Sequence, residues 1–199
     1  MLASITPLGQ RGRYSSYGEI LIALICGAAL GGFAAGLVWG ALGAAITAGL
    51  STTARAVLLG LGLVLAGAAD LRLFGFRTPS GSRQVNENWL GAYRGWVTGL
   101  GFGVQLGVGV ATVVSTAGVY AVYLAEFLSG SVLGGAAIGF AFGIARGLIS
   151  LTSSGVQTSA DLARLTVWIE RSRIPVAKGV GIGLLIWGTL LIGATQLHL

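Results

Sequence analysis

Long apolar runs recur along almost the whole chain, separated by short connectors in which arginine is the main charge. No other feature constrains the fold as strongly. A soluble domain carries roughly 25% charged residues to keep a hydrated shell. Here charged residues are 9%, hydrophobic residues 54%, and mean hydropathy is +0.85. Such a chain cannot cover a water-soluble globule. In a bilayer, backbone polar groups must be satisfied within each segment, which leaves helices for runs of this kind. The expected fold is an all-α polytopic membrane helix bundle.

A helix needs about 20 apolar residues to cross. Five runs meet that length: 20–50, 54–71, 96–127, 132–151 and 176–197. The first and third are too long for one upright helix, so they must tilt, protrude or break. A six-span arrangement would split one of them into two very short helices. Residues 1–17 read as a polar cytoplasmic tail rather than a signal peptide, and 18–199 as a single transmembrane domain with inner loops 72–94 and 152–175.

Loop charge gives the orientation. With the N-terminus inside, Arg11, Arg13, Arg72, Arg77, Arg83, Arg94, Arg164, Arg171, Arg173 and Lys178 fall on the inner side, and Arg146 in the inner part of the fourth span. Only Arg55 falls outside. That bias is the positive-inside pattern, giving a cytoplasmic N-terminus and an outer C-terminus. Trp89, Tyr93 and Trp96 fit an aromatic belt at one face, and Tyr120 and Tyr123 at the other. The segment 158–173 reads as an amphipathic surface helix. Leu162, Leu165, Val167, Trp168 and Ile169 form its apolar side, Ser159 and Asp161 can cap its start, and Pro175 ends it.

Glycine accounts for 35 of 199 residues without a Gly-X-Y period. Gly99, Gly103 and Gly107 recur at helical spacing in the third run, and Gly27, Gly31, Gly32, Gly36, Gly40 and Gly43 in the first. Small residues at this spacing let helix backbones approach closely, within the chain or across an oligomer interface. Alternatively, the third run is a flexible or broken helix lining a substrate path with Gln105, Thr112, Ser115 and Thr116. A shift of 72 residues superposes Gly27 on Gly99, Gly31 on Gly103, Gly62 on Gly134 and Gly67 on Gly139, which suggests a parallel two-fold repeat.

Reactive groups are sparse. Glu19, Asp70 and Glu126 lie near run ends and read as interfacial carboxylates, so a proton relay at the midplane is not expected. The single Cys26 excludes an intramolecular disulfide and a cysteine zinc site. It reads as a small core hydrophobe with no redox role. His198 has no cluster of ligands around it. Neither a phosphate-binding loop nor a nucleophile elbow occurs. No catalytic residue, metal site or cofactor is expected, and the chain reads as a non-enzyme. The net charge of +6 reflects orientation and anionic lipid rather than nucleic acid.

Arg94-Gly95-Trp96 leading into 99–107, and the later stretch 178–188, resemble the thiol–disulfide electron transporters of cytochrome c biogenesis, the CcdA and DsbD membrane-domain group of LysE-like transporters. The resemblance covers about residues 20 to 197, with one span fewer than the family's six. It implies a membrane bundle that relays electrons through two cysteines, each beside a proline. Here neither Cys nor Pro stands near Gly107 to Gly109, so the resemblance implies a redox-dead relative that keeps a scaffold for transport or assembly.

These readings lead to a small integral protein of a prokaryotic plasma membrane. The leading expectation is a transporter or permease-like protein for a small solute. The alternative is an accessory or assembly subunit of a larger membrane complex. Expected partners are the lipid bilayer and either other membrane subunits or a second copy of the chain.

Overall fold

The computed structural model describes residues 6–8, 16–73, 94–109 and 116–196. They form an all-α helical bundle, and no strand occurs among the described residues. The helices are α1 (Tyr17–Ile46), α2 (Thr52–Asp70), α3 (Gly95–Val108), α4 (Gly118–Leu128), α5 (Val132–Ile149) and α6 (Ser159–Gln196), with a 3-10 turn at Ser150–Ser153 after α5. Four of them are long and apolar enough to cross a membrane: α1, α2, α5 with its 3-10 extension, and α6.

α1 is the central element, and glycine explains why. A methyl group placed on Gly99, Gly103 or Gly107 would meet the backbone of Ile20, Leu24 or Ala28, so α3 lies parallel to α1 with backbones touching. On another face, Gly32 meets Gly139 and Gly36 meets Gly135, so α5 runs antiparallel to α1. Without side chains between them, the backbones themselves supply the packing contacts. The small cluster of Ile20, Leu24 and Phe102, with Tyr17 and Leu106 against it, closes one end of the α1–α3 contact.

α2 packs on α6 instead, antiparallel, with Gly60 near Gly188 and Gly67 near Gly181. It has no substantial contact with α1, whereas α5 packs on both α1 and α3. The helix pairs of the suggested 72-residue repeat are therefore arranged differently.

Caps fix the turns at one end of the bundle. Ser51 Oγ accepts from Ala54 N–H at 3.1 Å, and Ser131 Oγ accepts from Gly134 N–H at 3.1 Å. Arg55 donates to Leu50 O at 3.2 Å and lies over Gly130 (φ +64), locking the α1–α2 turn to the α4–α5 turn. At the other end Tyr17 Oη and Ser153 Oγ are 3.3 Å apart, and Leu8 N–H donates to Val156 O at 3.2 Å. Leu8, within the polar N-terminal tail, thus docks on the loop that precedes α6.

Sequence reasoning separated a surface helix at 158–173 from a last span, but the structure joins them. α6 runs unbroken through Pro175. Proline removes one N–H from the ladder, leaving the Arg171 carbonyl without its helical donor. That cost falls on an exposed part of the helix, where water can take the donor's place. The start of α6 is capped one residue earlier than expected. Asp161 N–H donates to Thr158 Oγ1 at 3.2 Å, and Thr158 N–H donates to Asp161 Oδ2 at 3.0 Å. Those hydrogen bonds, the Thr158 hydroxyl foremost, hold the Asp161 carboxyl below its ordinary range.

Candidate functional site at the break in the third apolar run

In the third apolar run, expected to tilt, protrude or break, the described residues form two shorter helices. α3 stops at Val108, Gly109 follows with φ +78 and ψ −57, and α4 begins only at Gly118. A side chain is strained at that φ, which favours glycine there. Space forbids one as well. A Cβ on Gly109 would lie 3.2 Å from an Arg146 guanidinium nitrogen, 3.2 Å from the Phe142 ring and 3.3 Å from the Tyr123 hydroxyl. The end of α3 therefore sits inside a collar of side chains from α4 and α5.

The other side of the break is held by α2. Ala117 N–H, at the N-cap of α4, donates to Asp70 Oδ1 at 2.6 Å. A carboxylate is favoured at this end of a helix, where unpaired N–H groups and the helix dipole are positive. Asp70 is partly buried here, at the end of α2.

Glu126 departs furthest from its expected role. Its residue is 1% exposed, so it is buried within the bundle where an exposed carboxylate was expected. Oε1 lies 3.0 Å from where a Cβ on Gly139 would stand, and Gly139 in turn abuts Gly32. Oε2 is buried without a hydrogen-bond partner. Because Gly139 lacks a side chain, the α4–α5 contact has room for a carboxyl group. Tyr123, one turn earlier on α4, was read as a belt residue. It instead turns inward, its ring 5.6 Å from Trp39 and its hydroxyl buried. Trp39 also meets Phe127 edge-on at 6.4 Å. Arg146 packs its guanidinium 5.5 Å from the centre of the Phe142 ring.

The path residues expected from sequence are only partly represented. Gln105 is half-buried on α3, and Thr116 is half-buried at the break. Thr112 and Ser115 lie outside the described residues. Gly27, Gly31, Gly99, Gly103 and Gly107 come together along the α1–α3 contact. Cys26 is exposed on α1, so it is not the core residue expected. Among the described residues no group of three or more His, Cys, Asp or Glu could hold a metal ion, and His198 lies outside them.

Sequence reasoning did not single out Tyr123, Glu126 and Arg146 as one group. A signal for them existed. Once Gly109 ends a helix, the segment at 118–128 is too short to cross alone, and a charge within it falls inside the bundle. Comparison with protein-family models, curated proteins and solved structures finds no match to this chain.

Proposed function

We infer that this is a permease-like protein moving a small polar solute past the break between α3 and α4. The observation that carries this reading is the break itself, a discontinuous run with Asp70, Tyr123, Glu126 and Arg146 gathered around it. Irregular backbone at membrane depth is tolerated where it is enclosed by protein or lines a cavity, and half-helix ends at such places bind substrates and ions in transporters. Arg146 supplies a cation for an anionic group of the solute, and Tyr123 a hydroxyl. In proteoliposomes, a panel of labelled small solutes should yield one whose uptake requires the protein. Arg146→Gln should cut that uptake at least tenfold while the amount of folded protein stays constant. Equal uptake by the two proteins would remove the break from the path.

The accessory-subunit reading is supported by a different observation. Gly27, Gly31, Gly32, Gly36, Gly103 and Gly139 are packed against backbone within the chain, but Gly179, Gly183 and Gly193 of α6 have nothing within 4 Å. A partner helix would pack there. In that case Gly183→Leu would release a co-purifying subunit and leave solute uptake absent throughout.

Orientation follows the arginine bias, with the N-terminus in the cytoplasm. Impermeant thiol labelling of intact cells, in a Cys26→Ala background, should modify Cys placed at Gln196 and spare Cys placed at Ser154. The reverse pattern inverts the topology.

A further inference from the structure

We propose that Glu126 is a proton-binding site of this passage, so that the solute moves together with, or in exchange for, a proton. The proposal rests on the permease reading and names its second substrate. Its first support is geometric. Glu126 is 1% exposed, one carboxyl oxygen lies against Gly139, and the other is buried with no hydrogen-bond partner. An ionised carboxylate with a partnerless oxygen in an apolar layer is the costliest arrangement of this group, and a neutral carboxylic acid the cheapest. The packing described here accommodates the acid form.

The second support is position. Gly139 and Gly32, which flank the carboxyl group, stand near the middle of α5 and α1. Tyr123 lies one turn before Glu126 on α4, and its hydroxyl reaches Gly109 at the end of α3. Tyr123 therefore links the break to the carboxyl group. On ionisation the O–H bond breaks, the proton leaves to water and the electron pair stays on the carboxylate.

The charged surroundings permit both states. From α5, Arg146 faces the break beside Tyr123 and can balance the ionised form. From α2, Asp70 lies at the first turn of α4 and Arg55 beyond its last. α1 presents Trp39 and no charged group at this level. α6 presents Val180 near Gly118 and Leu191 near Ser129, with Lys178 below Val180. No ion pair joins Glu126 to any of these among the described residues.

The test is infrared difference spectroscopy of the purified protein in lipid nanodiscs, titrated with pH in potassium buffer. It needs no knowledge of the solute, so it can fail while the permease reading stands, and the reverse. The wild type should show a protonated-carboxyl band that disappears reversibly on alkaline titration, and Glu126→Gln should lack it. Carbon-13 glutamate should shift the same band in the wild type, which guards against a variant that fails to fold. Three results would each overturn the proposal: no titrating band in the wild type, a band unchanged in Glu126→Gln, or a band insensitive to labelled glutamate. Loss of the band when sodium replaces potassium at fixed pH would also overturn it, by assigning the site to a metal cation.

Discussion

The α1–α3–α5 layer and the α2–α6 pair are built from the same two ingredients, glycine and aliphatic residues, but use them differently. In the first, glycine meets backbone on both sides, and 44% of the most apolar window of α1 is buried. In the second, glycine meets backbone and branched side chains together: Gly60 faces Gly188 O and Ile192, Gly67 faces Gly181 O and Leu185, and Gly188 faces Gly60 O and Val64. Only 11% of the corresponding window of α2 or α6 is buried. The contrast shows that glycine count says little about tightness. What matters is whether the atoms opposite are backbone alone, which cannot move, or include side chains, which can.

The harshest way to break this comparison is to fill the inner layer. Gly103→Leu forces a bulky group against the α1 backbone at Leu24, with no rotamer free of it. Overpacking costs typically 1–3 kcal/mol where neighbours can shift, and here it should exceed ~3 kcal/mol. Monodisperse protein recovered in mild detergent should fall to near nothing; recovery at wild-type levels would show that the layer is loosely packed. A milder probe is Gly62→Ala on α2. Its new methyl meets only the Leu124 side chain, which can change rotamer, so the loss should stay below ~1 kcal/mol in an equilibrium unfolding measurement. At Gly179, with nothing within 4 Å, alanine should gain up to ~1 kcal/mol from helix propensity alone. A destabilised Gly179→Ala would reveal a partner packed on α6.

Much of the helical bundle was legible in the sequence because apolar length follows directly from what a helix needs to cross a bilayer. Run ends at Ser51 and Ser131 are marked by capping residues. The glycine faces were legible too, since four-residue spacing has one geometric meaning on a helix. What stayed hidden depends on tertiary context. The length of the third run already suggested a break, but hydropathy averages across Gly109, so its position shows only with the collar of Tyr123, Phe142 and Arg146. Glu126 looked interfacial because its run ends nearby. Only the placement of Gly139 opposite it shows where the carboxyl group goes. Pro175 misled for the opposite reason. A local rule predicts a helix end, but α6 continues through it.

The unbroken length of α6 carries a consequence for how the protein sits in membranes of different thickness. At about 1.5 Å per residue its 38 residues extend roughly 57 Å, against a hydrocarbon core of about 30 Å. The surplus is not uniformly polar. Trp168, Ile174 and Val176 are exposed on it, with Arg171 and Arg173 between them. Arginine stems can reach toward headgroups as the surrounding lipid thickens, while the exposed apolar residues enter the hydrocarbon. A thicker bilayer can therefore cover part of this exposed surplus of α6 without requiring α6 to leave its contact with α2.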